Sequence, residues 1–504
     1  RFGFDWQDWG RLDTLEVLED AIKRFNIDED RVYLTGHSMG GHGTWHIGLH
    51  HADRFAVIAP SAGWTSFYLY TPFFLRKSHI YAPPKLLSIW EAAMRPDKVP
   101  LYAENALNLP IYILQGRDDD EVPPFHPRLM ATILGKLGYE FVYEEVPEKK
   151  HWWDLEGVEG TACMNYPGMM EYMRDKTRNT KPSRVVFRMV DPSINNRLYW
   201  VRIDEQDRLY EDTFVDAELV EGGVKVRAEN VKQMTLLLDG LVEHGRMNIW
   251  VNNQELSLDY RGGEVVIHQD DKGKYLLGPI TRETREKLLW KTPNLFGPIK
   301  AAYFKPFILV YGTSGSEEEK ELNLHLARLK AQEWWWRANG WARILPDTEI
   351  TDETIAKYNL VLFGGPETNR ITKRIINDLP IRVEGEKVVI GDKEVRGRGI
   401  AVKLVYPNPL NPDRLVLVNM GTDIEGMRLT GAFTSLYSGS GLPDYLVYDK
   451  EIRRKSWGGI IAAGFFGKDW SLEKGITYIR SGAYTKIPEK KKSIWEIIKE
   501  LLFS

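Results

Sequence analysis

The order of apolar and polar positions divides the chain into stretches with different periods. Over Arg11 to Phe25 the apolar residues Leu12, Leu15, Leu18, Ala21, Ile22 and Phe25 recur at helical spacing, which predicts an amphipathic helix. Asn26 to Asp30 is a polar loop. Short apolar runs follow at Val32 to Thr35, Phe55 to Pro60, Ile111 to Gln115 and Phe141 to Val146, each read as a buried strand. Helices are expected from near Met39, over Pro127 to Leu137, and over Met164 to Thr177. Strands alternating with helices predict a parallel, doubly wound sheet. Ser61 to Leu109 is too long for a simple connection and holds Trp64, Tyr68, Tyr70, Phe73, Phe74 and Trp90. It reads equally as a cap over the sheet or as a helical excursion packed on the body.

At Lys181-Pro182-Ser183 the period changes to two. From Arg184 to about Leu277 short alternating runs such as RVVFRMV, LYWVRI and MNIWVN are separated by Gly and Asn turns, the pattern of a β-sandwich. Arg282 to Pro306 is a connector. Apolar runs at Phe307 to Tyr311, Leu360 to Phe363, Ile400 to Tyr406 and Arg414 to Asn419 then predict a second α/β domain of flavodoxin-like rhythm. Its Gly312-Thr313-Ser314-Gly315 loop lacks the lysine of a phosphate-binding P-loop and is read as a tight turn. Ser493 to Phe503 predicts a terminal amphipathic helix. The expected organisation is an incomplete catalytic α/β domain over 1–180, an accessory sandwich over 181–280, and the connector, second α/β domain and last helix over 281–504.

Composition narrows the functional classes. A net charge of −4 gives no electrostatic case for nucleic acid, and no run approaches 18 uninterrupted apolar residues, so no membrane span is expected. Cys163 is the single cysteine, so neither a disulfide framework nor a cysteine metal site is expected. His244 and His268 lie in turn-rich sequence at a spacing that does not suggest a metal site, and no metal or organic cofactor is called for. The chain starts at Arg1 in mid-pattern, so a targeting segment would lie upstream, and cytoplasm and export both stay open. Seventeen tryptophans point to large cores or to grooves for sugars or peptides.

The chemistry concentrates in RVYLTGHSMGGHGTWH, where an apolar strand turns through Gly36-His37-Ser38-Met39-Gly40 into a helix. A serine held in such a strained turn projects its hydroxyl from the sheet edge, flanking glycines remove Cβ atoms that would collide, and the helix start stabilises an oxyanion. The Met39 amide would be one oxyanion donor. A serine nucleophile needs a base, and the base needs an orienting carboxylate. After the strand at 111–115 comes Gly116-Arg117-Asp118-Asp119-Asp120-Glu121-Val122-Pro123, where three aspartates compete and the spacing to Val122-Pro123 favours Asp119. After the strand at 141–146 comes Lys149-Lys150-His151-Trp152-Trp153-Asp154, which puts His151 where the base belongs. His37 is inside the turn, His42, His46, His50 and His51 follow on the helix, and His126 lies close to the acid. His37, Trp64, Tyr68 and Trp152 are candidates to line a substrate pocket.

GHSMGGHGTW, GRDDDEVP and KHWWD resemble the catalytic domain of the prolyl oligopeptidase family and its esterase relatives among the α/β-hydrolases, over about Asp5 to Lys176. The resemblance implies Ser38 as nucleophile, Asp119 as orienting acid, His151 as general base and Met39 as half of the oxyanion hole. It implies hydrolysis of a peptide or ester bond through an acyl-enzyme, with peptidase favoured over a carboxylesterase acting on aryl or carbohydrate esters. In that family further strands and the second oxyanion donor precede this point, so the strand at 32–35 is expected to be an edge here. A polypeptide partner would supply what is missing; otherwise the chain would be an impaired hydrolase with a binding or scaffolding role. The family's β-propeller has no counterpart in the pattern. Trp200 and Trp250 are stacking candidates for a sugar-binding sandwich, though sandwich cores use tryptophan in the same positions.

Overall fold

The computed structural model describes residues 6–70, 80–436 and 439–487. Phe73, Phe74 and the last helix expected at 493–503 lie outside the described residues, as does the side chain of Tyr68.

The N-terminal part is a four-stranded parallel sheet in the order β1 (Tyr33–His37), β2 (Val57–Ser61), β3 (Ile111–Gly116), β4 (Phe141–Val146). The register runs Tyr33 to Val57, Ile58 to Ile111 and Ile111 to Phe141. β2 and β3 are buried throughout, as continuous apolar runs in a parallel sheet require. This part of the chain also holds helices α1 (Trp9–Arg24), α2 (Met39–His50), α3 (Phe67–Tyr70), α4 (Pro84–Met94), α5 (Phe125–Leu137) and α6 (Pro167–Arg174). The closing helix is shorter than its apolar pattern suggested because Pro167 fixes its first turn. Among the described residues β1 pairs only with β2 and forms the sheet's edge, with Thr35 exposed and its hydroxyl turned back onto the Ala59 carbonyl at 2.8 Å.

The sandwich has two five-stranded sheets. One sheet runs from Tyr275–Leu277 through Glu264–Gln269, Val231–Leu237 and Val201–Gln206 to Arg197–Leu198. The other runs from Gln254–Tyr260 through Gly245–Val251, Gly223–Glu229 and Thr213–Val220 to Arg184–Met189. Trp200 is buried, with its indole N–H donated to the Pro182 carbonyl at 2.8 Å, so it packs the core instead of offering a face to a sugar. One apolar cluster runs without a break from Trp45 and Tyr102 of the first unit into Phe187, Trp200 and Ile249 of the sandwich.

The C-terminal unit differs from the flavodoxin-like expectation. Its eight-stranded sheet is parallel from Arg343–Pro346 through Phe307–Tyr311 and Asn359–Phe363 to Asn411–Gly421. It then turns antiparallel through Ala401–Asn408, Tyr445–Tyr448, Ile460–Phe465 and Ile476–Ile479. The reversal starts at the tight connection between Asn408 and Asn411, which leaves no room for a crossover helix and forces antiparallel pairing. The segment 61–109 is a helical excursion where described: Leu86, Ile89 and Ala93 of α4 share a core with Tyr445 and Ile461 of the C-terminal sheet. Among the described residues no helix is long and apolar enough to cross a membrane.

Candidate active site

The turn between β1 and α2 holds Ser38 at φ 57° and ψ −115°, a conformation costly for a residue with a side chain. The surroundings enforce it. The Ser38 amide donates to the Ser61 carbonyl at 2.9 Å, and a Cβ on Gly36 would come within 2.5 Å of the Gly40 backbone. The expectation that both glycines avoid collision holds only for Gly36, since a Cβ on Gly40 would meet nothing within 4 Å. The second obligatory glycine is Gly41, whose Cβ would lie 2.3 Å from the Ser61 carbonyl oxygen and 2.8 Å from Gly63. That closeness lets α2 start directly over the end of β2. Met39 is the first helical residue, so its N–H has no acceptor within the helix.

The loops after β3 and β4 bring two more groups to Ser38. His151 Nδ1 lies 2.8 Å from Asp119 Oδ2, and His151 Nε2 lies 2.8 Å from Ser38 Oγ. A carboxylate only accepts, so Nδ1 carries the proton and Nε2 presents its lone pair to the serine hydroxyl. Asp119 is held on every side. Its Oδ1 accepts from the amides of Glu121 at 3.0 Å and Val122 at 2.8 Å, and its Oδ2 accepts from the Gln115 side-chain amide at 2.9 Å. Asp118 and Asp120 are exposed. Gly116 lets the acid loop lie against the base loop, since a Cβ there would be 2.3 Å from the Lys150 carbonyl oxygen.

A second polar ring backs the first. Ser61 Oγ donates to the Cys163 carbonyl at 2.6 Å, so it must accept from His37 Nδ1 at 2.9 Å. His37 Nε2 is left as an acceptor, 3.8 Å from Cys163 Sγ. Burial, with the His151 ring beside it, pushes His37 down to about 4, and burial pushes the Cys163 thiol up. His37 is therefore neutral near pH 7 and serves as a wall and tether. Nothing in the motif signalled Ser61 or Cys163, which meet His37 from segments far along the chain, and Gln115 reads as one more residue of the β3 strand although its amide reaches Asp119 four positions on.

The pocket candidates separate. Trp152 is 57% exposed, with its ring 4.5 Å from that of His37 and 5.5 Å from that of His151. Trp64 is buried, stacked on His42 at 4.9 Å and on Tyr70 at 4.5 Å, so it packs the body of the domain. Tyr68 lies on α3. His42, His46, His50 and His51 are buried on α2 or just past its end, all driven towards the neutral form by burial. His126 is buried as well, and its Nδ1 accepts from the Thr65 amide at 3.3 Å. Among the described residues no group of three or more His, Cys, Asp or Glu is placed to hold a metal ion.

Residues 2–161 match the prolyl oligopeptidase family. The chain is 25% identical over 496 residues to an uncharacterized secreted protein of Arthroderma benhamiae, covering 93% of this chain and 51% of that one. It is 31% identical over 150 residues to the uncharacterized peptidase YuxL of Bacillus subtilis, which is 28% of this chain and 21% of the relative. It is 39% identical over 61 residues to the bifunctional acetylxylan esterase/xylanase XynS20E of Neocallimastix patriciarum, 12% of this chain and 9% of that protein. The chain thus spans about half the length of the first of these relatives and less of the others.

Proposed function

We propose that this chain, whose residues 2–161 carry a prolyl oligopeptidase-family α/β-hydrolase domain, is a serine hydrolase working through Ser38, His151 and Asp119. The observation that carries the reading is the unbroken relay from Asp119 through His151 to Ser38, with both links at 2.8 Å and the acid and base buried. Ser38 Oγ attacks a carbonyl carbon while His151 Nε2 takes its proton. Asp119 stabilises the imidazolium without itself taking the proton. The oxyanion that forms lies against the Met39 N–H at the start of α2. His151 then protonates the leaving amine or alcohol, and water, deprotonated by the same nitrogen, releases the acid from the acyl-enzyme.

Peptidase is the favoured activity, on the family match and the description of YuxL as a peptidase. A carboxylesterase acting on aryl or carbohydrate esters is the second reading, favoured by the similarity to an acetylxylan esterase/xylanase. We assign the second oxyanion donor to polypeptide that pairs with the edge of β1 that is unpaired among the described residues. The test is labelling of the full chain by a fluorophosphonate, with Ser38→Ala as control. Labelling that disappears in the variant is the expected result. A chain that stays unlabelled while a control hydrolase reacts would leave only the binding or scaffolding role. Turnover of peptide anilides against p-nitrophenyl esters then separates peptidase from esterase.

A further inference from the structure

One charged group at the relay has no place in that chemistry. Glu121 Oε2 lies 3.9 Å from His151 Nε2, the nitrogen that faces Ser38, and its side chain is 62% exposed. Its backbone belongs to the acid loop, where its amide donates to Asp119. The carboxylate therefore stands at the solvent side of the nucleophile, not within the buried support. Neighbouring cations are engaged elsewhere. Lys150 lies 3.7 Å from Asp120, Arg117 pairs with Glu145 at 3.5 Å, and Lys149 sits over the Trp153 ring at 5.9 Å. The exposed indole of Trp152 is in edge contact with the His151 ring. An anionic group and an aromatic face both attract cations.

We propose that Glu121 is a specificity-determining residue that selects substrates carrying an ammonium or guanidinium group close to the scissile bond. The proposal rests on the serine-hydrolase reading above. As the tetrahedral intermediate forms, an oxyanion appears on the substrate and an imidazolium on His151. Glu121 attracts the imidazolium for every substrate, but it also places a negative charge beside the bound substrate. A cationic substituent turns that charge from a burden into a contact, a neutral one gains nothing, and an anionic one is repelled. The two effects of Glu121 are separable because the first is common to all substrates and cancels in a ratio.

The test compares kcat/KM for matched p-nitrophenyl esters or anilides with cationic, neutral and anionic acyl groups, in the parent, Glu121→Gln and Asp118→Asn. The parent is expected to favour the cationic over the neutral substrate by roughly fivefold, a preference that weakens in high salt. Glu121→Gln should remove that ratio, and Asp118→Asn, which removes an equal charge from an exposed position on the same loop, should keep it. Glu121→Lys should invert it in favour of the anionic substrate. An unchanged ratio in Glu121→Gln, with fluorophosphonate labelling retained, overturns the proposal alone, whatever the common change in turnover. Loss of labelling in the parent would instead overturn the hydrolase reading on which it stands.

Discussion

At the scale of single residues, the site turns on a few close approaches that allow no side chain and a few carboxylates that look alike in sequence. Gly36 and Gly40 are equivalent in the motif, but only Gly36 faces backbone at 2.5 Å. Gly36→Ala is expected to destabilise the N-terminal domain by about 1–3 kcal/mol, the usual cost of forcing volume into a packed site. Gly40→Ala, inside a helix and with open space around it, should be neutral or gain up to ~1 kcal/mol. Thermal denaturation of the two variants settles the contrast, and equal losses would refute it. The three aspartates divide in the same way. Asp119→Asn leaves His151 with the wrong tautomer and should lower kcat by about 10³–10⁴. Asp118→Asn and Asp120→Asn should change it less than about twofold, since their side chains are exposed. Residue types and order single out Ser38, Asp119 and His151 in the sequence, and the fold brings them into one hydrogen-bonded line. Ser61 and Cys163 were not legible, because they reach His37 from segments far along the chain, and Gln115 was not, because a polar residue closing a strand run carries no mark of the carboxylate it holds.

At the scale of elements, α2 carries an unusual load of buried histidine. His42 is pushed down to about 4 and His50 to about 3, with His46 and His51 also well below the ordinary value, in each case chiefly through burial. A histidine whose folded value lies below its unfolded one binds its proton more readily in the unfolded chain. Stability is therefore fully present above about 6.5 and is lost as pH falls from there towards 4 and below. The groups facing this helix act partly in opposition. Asp97 is held above the usual carboxylate range by burial, which favours the fold at lower pH, and Arg11 and Lys300 stay charged beside it. The domain's unfolding temperature should fall between pH 6.5 and 4, and Asp97→Asn should steepen the fall by removing the opposing group. A flat profile over that range would mean the histidines are reached by water. The helical spacing of these residues is visible in sequence, but their burial is not, since the same spacing would suit a solvated face. Strand runs were the easiest elements to read because β2 and β3 are buried on both faces. The C-terminal sheet departs from the flavodoxin-like expectation because a parallel and an antiparallel buried strand share one apolar pattern, and only the length of the connection distinguishes them.

At the scale of the whole molecule, the sandwich, connector and C-terminal sheet meet at a wholly buried ion pair. Lys291 Nζ lies 2.5 Å from Asp444 Oδ2 and donates to Tyr210 Oη at 2.8 Å, and both charged side chains are wholly buried. Tyr210 Oη donates in turn to Asp444 Oδ1 at 3.1 Å, and the Phe466 amide donates to Oδ2 at 2.9 Å. The Lys291 ammonium also sits over the Trp470 ring at 4.6 Å. Each partner belongs to a different stretch of the chain: Tyr210 to the sandwich, Lys291 to the connector, Asp444 to the start of a strand in the last sheet. Removing one charge strands the other in a dry site, so Lys291→Met should cost about 3–5 kcal/mol. Replacing the pair is a different matter, since two buried ions lose their hydration and regain it only through each other. Lys291→Met with Asp444→Asn, whose single carbonyl oxygen keeps an acceptor for Tyr210 or for Phe466 but not for both, should recover part of that loss. Denaturant unfolding followed by tryptophan fluorescence, with Trp470 as local reporter, measures the coupling. If the double variant loses as much as the two single variants together, the pair is not what joins the three units. Their cohesion would then rest on the pairs of Glu205 with Arg282 and Lys468 and on two apolar cores, one running from Trp45 to Ile249 and the other from Leu86 to Ile461.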